Sequence, residues 1–417
     1  MREMKDSGIE WAGVIPNTWN INKGKYFMEL LTRPTLETDE VITCFRDGEV
    51  TLRSKRREEG FTVSLTEAGY QGIEIGDLVV HGMDGFAGSI GISDSRGKAT
   101  PVLNVLDTEQ NKRYMMYLMR TMAYCELFLS LATGIRVRTC DTNWKKLREI
   151  DYILPTIPEQ KAIADFLDEQ CAEIDSLISD IQSQIEALEE YKRSVITEVV
   201  TKGLDPDVEM RDSGIAWVGD IPAHWITHPL YFYFGERKNK NALGLETNLL
   251  SLSYGKIIRK DINSNGGLLP ESFNTYNIIE KDDIIIRPTD LQNDKRSLRT
   301  GIAREHGIIT SAYIAMKAIK TVNPEYFHYL LHAYDVMKVF YNMGNGVRQG
   351  LNFSEFSRLM VFEPAIEEQN AIVSYLKEKC DEIDLAIAEK KQQIETIEEY
   401  KKSLIFEYVT GKKEVQA

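Results

Sequence analysis

The stretch IPEQKAIADFLDEQCAEIDSLISDIQSQIEALEEYKRSVITEVVTKG (Ile157–Gly203) returns 209 positions later as IEEQNAIVSYLKEKCDEIDLAIAEKKQQIETIEEYKKSLIFEYVTGK (Ile366–Lys412). Without a gap, Gln160 falls on Gln369, Cys171 on Cys380, Glu190-Tyr191-Lys192 on Glu399-Tyr400-Lys401 and Thr201 on Thr410. In the first copy Leu167, Cys171, Ile174, Ile178, Ile181, Ile185 and Leu188 follow steps of four and three, the heptad spacing that leaves one narrow apolar seam on a helix. A helix of this length reaches roughly 60 Å at about 1.5 Å per residue. Such a helix cannot bury its seam inside one small domain, and the second copy offers a partner. The pattern predicts two long coiled-coil helices packed antiparallel about a pseudo-twofold axis. Pro158 suits a first helical turn, and Gly203 and Gly411 suit the position just past the last one. Lys390 stands where Ile181 stands in the first copy, a polar seam position of the kind that sets register. Cys171 and Cys380 fall in the seam and are expected to be buried and unbridged.

The 417 residues have room for two to three domains, and 43% hydrophobic with 27% charged residues is ordinary for a globular chain. The start, MREMKDSGIEW, is charged and lacks an apolar core, the pattern expected without a secretory signal. Cys44, Cys125, Cys140, Cys171 and Cys380 are scattered and never form CxxC, which suits reduced thiols in a cytoplasmic protein. A net charge of −14 argues against a nucleic-acid binder until its location is considered. Residues 158–203 hold 4 Lys/Arg against 11 Asp/Glu, and residues 367–412 hold 7 against 11. The acidity belongs to the helices, and the rest of the chain is nearly neutral.

The duplication extends beyond the helices. Met4-Lys-Asp-Ser-Gly-Ile-Glu-Trp11 returns as Met210-Arg-Asp-Ser-Gly-Ile-Ala-Trp217, and Ile15-Pro16 with Trp19 returns as Ile221-Pro222 with Trp225. Between these marks the two globular regions diverge. Isolated matches survive, Asp77 against Asp283 and Gly91-Ile92 against Gly301-Ile302 among them. The chain divides into a globular region 1–153, a helix 154–203, a second globular region 204–362 and a second helix with tail 363–417. Ile73–Val80 and Ile278–Arg287 read as short strands, each with an acidic turn before its apolar end; Lys112–Leu131 and Pro324–Tyr341 read as helices. The fold class is α+β: two mixed α/β domains in tandem repeat, joined and separated by two long antiparallel helices.

The motifs of catalysis are missing. The chain has no GxxxxGK[ST] loop and no Gly-rich cofactor loop paired with an Asn/Asp-Pro-Pro-aromatic tetrad, and Gly85-Phe86-Ala87-Gly88 is a turn. His328 and His332 lack an acid between them and line a core helix. Basic clusters are the stronger signal. Arg46, Arg53, Lys55, Arg56 and Arg57 crowd one segment of the first domain. In the second, Arg237, Lys238 and Lys240 form one group, Lys256 to Lys260 (with Arg259) another, and Lys295, Arg296 and Arg299 a third. Long cations neutralise phosphates, while Arg forks and Gln amides read base edges. Any one cluster could equally be solvated surface. The loops TGIRVR (Thr133–Arg138) and NGVRQG (Asn345–Gly350) precede the two long helices at matching places. They make Arg136, Arg138, Arg348 and Gln349 further DNA-facing candidates.

SGIEWAGVIPNTW and SGIAWVGDIPAHW, IPEQKAI and IEEQNAI, and EEYKRSVITEVVT and EEYKKSLIFEYVT are marks by which the whole chain resembles the specificity subunit of a type I restriction–modification system. IEEQ lacks the proline of the first opening. The resemblance implies that each globular region is a target recognition domain for one half of a split DNA sequence. It implies that the helices are the spacer and the dock for two modification (methyltransferase) subunits. Those partners would carry S-adenosylmethionine, and restriction subunits would add ATP and Mg; no cofactor is expected on this chain. A two-headed scaffold without a DNA role and a self-contained nuclease remain the alternatives.

Overall fold

The computed structural model describes residues 2–56, 67–131, 142–215, 217–262, 272–289, 298–339 and 350–415. Its contacts divide the chain into two units, Met1–Ile181 with Gln392–Ala417, and Gln182–Lys391. Each unit combines a globular head, the beginning of the long helix that follows it, and the end of the other long helix.

The long helices run Ile157–Lys202 and Ile366–Val409. Within the second unit, Gln184 accepts a hydrogen bond from Lys390 Nζ, while Lys192 Nζ lies 2.6 Å from Asp384 Oδ2. Partner numbers rise on one helix as they fall on the other, so the packing is antiparallel. The first unit repeats this, with Lys401 Nζ 2.6 Å from Asp175 Oδ1 and Phe166 against Tyr408 at 4.5 Å between ring centroids. Leu167, Cys171 and Ile174 share one core with Leu404, Ile405 and Val409, as the heptad spacing requires. Cys171 and Cys380 are buried free thiols. Gly203 and Gly411 adopt φ of 77° and 70°, the left-handed conformation that ends a helix without Cβ strain.

Each head is built on a four-stranded antiparallel sheet. In the first the order is Met28–Leu30, Leu103–Thr108, Leu78–His81, Ile90–Ile92. In the second it is Phe234–Glu236, Ile314–Ala318, Ile284–Ile286, Thr300–Ile302. Both faces are covered, which is why the central strands read LVV and III rather than alternating. Leu78, Val80 and Leu106 pack with Tyr114 and Leu118 of the Lys112–Tyr124 helix. Val79, Leu103 and Val105 face the other way, toward Ile42, Cys44 and Val50 of a two-stranded ribbon, Ile42–Cys44 with Val50–Leu52. In the second head Ile284 and Ile286 meet Tyr326 and Phe327 of the Pro324–Val336 helix. Ile285 meets the ribbon Leu250–Ser253 with Lys256–Arg259 through Leu250 and Ile257.

Several expected elements are subdivided. Ile73–Val80 is two strands, because the Asp77 carboxylate accepts the Glu74 N–H at 2.8 Å and closes a turn between Gln71–Ile73 and Leu78–His81. Asp283 does the same for Glu280 at 2.8 Å, separating Asn277–Ile279 from Ile284–Ile286. The Lys112–Leu131 segment breaks at Glu126, whose φ of 59° cannot continue a right-handed helix, and resumes as Leu127–Ser130. The other helix ends at Val336, two residues before Lys338 at φ 60°.

Candidate nucleic-acid interface

The repeated sequence marks converge on one kind of junction. In the first unit Gln160, fully buried, accepts the Asn111 backbone N–H at 2.9 Å and donates to the Pro155 carbonyl at 2.9 Å. Asn111 in turn caps the Lys112–Tyr124 helix, accepting from the Arg113 and Tyr114 N–H groups. Trp19 donates its indole N–H to Glu159 at 3.4 Å, and its ring and Pro16 pack against Gly411 at the end of the second long helix. Tyr114 Oη donates toward the carbonyls of Ile153 and Val409 at 3.1 and 3.2 Å. The second unit builds the same junction from Gln369 with Asn323 (2.8 Å) and Pro364 (2.9 Å), Trp225 with Glu368 (3.0 Å), Gly203, and Tyr326 with the Val200 carbonyl (3.5 Å). Identical residues therefore fasten each head to a helix pair, and the divergent residues are left for the head's own surface.

The ribbon is the head's outlying element, and a matched glycine seats it. A Cβ on Gly91 would lie 1.9 Å from the Gly48 carbonyl and 2.8 Å from Val50, both on or beside the first ribbon. A Cβ on Gly301 would lie 2.6 Å from Leu252 and 3.1 Å from Ile257 of the second. Gly91 and Gly301 thus lie under the ribbon in both heads, against backbone in the first and against side-chain ends in the second. Arg120 adds a brace in the first, donating to the Ile90 carbonyl and the Asp47 carbonyl, each at 2.8 Å.

The first basic cluster does gather at its ribbon. Arg46, at the turn and 64% exposed, pairs with Asp84 at 2.9 Å. Arg53 donates to Thr43 Oγ1 at 2.9 Å, and Lys55 donates to Asp94 (3.2 Å) and Ser95 (2.6 Å). Arg56 pairs with Asp47 (2.5 Å) and Glu49 (2.6 Å) and covers the Phe45 ring. Burial works to raise the Asp47 and Asp94 carboxyls. Arg56 and the Glu49 N–H outweigh it at Asp47, and Ser95, Thr51 and Lys55 outweigh it at Asp94, so both titrate below the usual range. The cluster is a laced set of cations and acids, and a phosphate there must compete with carboxylates already in place.

In the second head the candidates separate. Lys238 is exposed and pairs with Glu236 at 2.9 Å; Lys240 donates to the Thr275 carbonyl at 3.0 Å. Arg259 grips Glu305 with Nε at 2.7 Å and also through Nη2, while remaining 72% exposed, and Lys260 beside it is exposed. Two candidates are held inward. Arg237 is 20% exposed and pairs with Asp283, itself 3% exposed, with Nη2 to Oδ1 at 2.9 Å. Burial pushes the Asp283 carboxyl above its usual range despite that guanidinium. Arg33 and Asp77 make the same clamp in the first head, so Arg237 holds the strand turn together. Arg299 is fully buried, with Nη1 donating to the Thr289 carbonyl at 2.6 Å and its backbone N–H to Asp335. Arg57, Arg136, Arg138, Arg296, Arg348 and Gln349 lie outside the described residues.

Among the described residues no group of three or more His, Cys, Asp or Glu could hold a metal ion, and no helix is long and apolar enough to cross a membrane. Burial pushes His328 down to about 3 and His332 to about 4, which keeps both imidazoles neutral in the core-facing helix. Sequence reasoning missed Tyr254, which sits at the tip of the second ribbon; the signal was Tyr254-Gly255 between the short runs LSLS and KIIR.

Two heads, each fastened by the same junction to an antiparallel helix pair and each carrying a differently charged ribbon, define a duplicated two-headed protein. No family model matches the chain. It is 26% identical over 321 residues to the MjaX specificity subunit of Methanocaldococcus jannaschii, covering 74% of this chain and 71% of that protein. It is 26% identical over 326 residues to the type I restriction enzyme MjaVIII specificity subunit of the same organism, covering 73% and 72%. A chain solved in work on complex assembly and conformational transition of the type I R-M system has the same fold. The TM-score is 0.67 at 11% identity, over 95% of this chain and 99% of that one. The two relatives are thus specificity subunits at 26% identity, and the fold is shared with a chain of a type I R-M system.

Proposed function

We infer that this chain is the DNA sequence-specificity subunit of a type I restriction–modification complex. Each head reads one half of a bipartite target, and the long helices set the gap between the halves and dock two methyltransferase subunits. The observation that carries this reading is the double junction: Gln160 and Gln369, with Trp19 and Trp225, mount two heads identically while their ribbons differ. A constant mount with variable tips is what two different half-sites require. Its relatives' names, specificity subunits of type I restriction enzymes, support the same reading.

The chemistry then belongs to the partners. The chain contributes positioning and base discrimination, and S-adenosylmethionine, ATP and Mg act on the modification and restriction subunits in the cytoplasm. Phosphate contacts by exposed cations such as Arg46, Arg259 and Lys260 set the register, and the ribbon tips supply sequence. Long-read methylome sequencing of the native host with and without this gene tests the proposal. Loss of one bipartite adenine motif on deletion is the expected result. An unchanged methylome, with the modification genes expressed, sinks it and favours a scaffold without a DNA role.

A further inference from the structure

Tyr254 occupies a place where the fold disfavours it. Ser253 pairs with Lys256 across the ribbon, so Tyr254-Gly255 is a two-residue hairpin loop. Both residues have positive φ, 45° and 78°. Two-residue loops with both central residues left-handed are favoured by Asn, Asp or Gly at the first position, because a bulky Cβ there crowds the following carbonyl. The ring gains no compensating burial, since the residue is 78% exposed. A large aromatic side chain held in a strained backbone and pointed at solvent contributes nothing visible to folding.

The mount beneath it is close-packed. A Cβ on Gly255 would lie 3.1 Å from the Leu298 side chain and 3.6 Å from the Thr300 carbonyl, and Leu252 and Ile257 lie against Gly301. The ribbon is basic, with Lys256 exposed beside the tip and Arg259 and Lys260 exposed at its base. The first head presents Arg46 at the turn of its own ribbon, on the matching glycine seat. Same mount, different tip.

We propose that Tyr254 is a base-contacting residue of the second head, carried tip-first into the DNA major groove by the Leu250–Arg259 ribbon. The proposal rests on the DNA-specificity reading above and names one residue that executes it. The major groove admits a two-stranded ribbon, and an aromatic tip meets thymine methyls and base edges there while flanking lysines meet phosphates. The strained turn is then retained for recognition, at the expense of the more comfortable Asn-Gly.

Selection from a pool of random 40-bp duplexes by the full chain, wild type against Tyr254→Asn and against Lys260→Ala, tests this. The wild type is expected to enrich two sequence blocks around a fixed gap. Y254N, which suits the turn better, is expected to melt at the same or a higher temperature and to lose base preference in one block only. K260A is expected to lower retention of all duplexes while leaving both blocks intact. Two intact blocks for Y254N overturn the proposal, as does a lower melting temperature, which would make Tyr254 a structural residue. A wild type that enriches no bipartite motif removes the DNA reading itself, a result distinguishable from either.

Discussion

Gln160 Oε1 accepts the backbone N–H of Asn111 at 2.9 Å, linking the first turn of a long helix to the cap of the head's own helix. Gln369 and Asn323 do the same in the other half at 2.8 Å. One amide side chain thus satisfies a part-buried donor that lies outside its own helix. The Glu-Gln pair in each helix opening is a joint between head and rod, with glutamate taking the tryptophan indole and glutamine the cap.

Gln160→Leu leaves the Asn111 N–H and the Pro155 carbonyl without their partner in a buried site. A loss of roughly 1–3 kcal/mol is expected for an unsatisfied buried group, read as a lower urea midpoint. Q369L is expected to match it, since Gln369 is equally buried.

Gly91→Ala and Gly301→Ala are expected to differ. At Gly91 the new methyl meets the Gly48 backbone carbonyl at 1.9 Å, whereas at Gly301 it meets the movable end of Leu252 at 2.6 Å. Overpacking of the first kind costs about 1–3 kcal/mol. G91A is expected to lose stability measurably and to degrade recognition of one half-site, while G301A keeps most of both. Denaturation curves together with duplex selection separate the two.

Arg237→Ala and Arg259→Ala distinguish a clamp from a surface cation. Removing Arg237 strands the Asp283 carboxylate in a buried position, with an expected cost of about 3 kcal/mol. Removing Arg259 breaks an exposed pair with Glu305, and solvent screens such a surface pair so that it contributes little to stability. R259A is therefore expected to fold like the wild type and to show weaker, less salt-dependent DNA binding. Equal destabilisation by both would mean the Arg259 pair is structural too.

His306 sits between two carboxylates, Nδ1 2.9 Å from Glu280 and Nε2 2.7 Å from Glu246, and the Glu280 hydrogen bond is the main reason its pKa is raised. A raised histidine contributes stability that is complete below its unfolded value of about 6.5 and disappears as pH climbs through the folded value. Its half-exposed position keeps the effect small. The urea midpoint is expected to decline as pH rises from about 6 through that folded value, and His306→Gln is expected to flatten the decline. A wild-type midpoint that rises over the same interval contradicts the assignment.

Much of this architecture is legible in the residues. Leu167, Cys171, Ile174 and their equivalents announce paired helices because a seam that long needs a partner of equal length, and duplication supplied one. Gln160, Trp19 and Gly203 announce by their repetition that they serve the shared frame. What repetition could not convey is which role each plays, because the joint is made between residues some 50 to 140 positions apart. Charge was the least readable signal. Arg237, Arg259 and Arg299 look alike in one dimension, yet the sheet buries one, pairs another inward and leaves the third on the surface.

The sequence by itself determined the duplicated plan and the helix pair, since these depend on periodicity and on repeated motifs that any reader of the chain can align. Only the tertiary structure decided which cations face solvent, why Gly91 and Gly301 match, and that Tyr254 stands strained at a ribbon tip. Burial, backbone sign and contact across the sheet are properties of three-dimensional neighbours, and residues distant along the chain become those neighbours only once it folds.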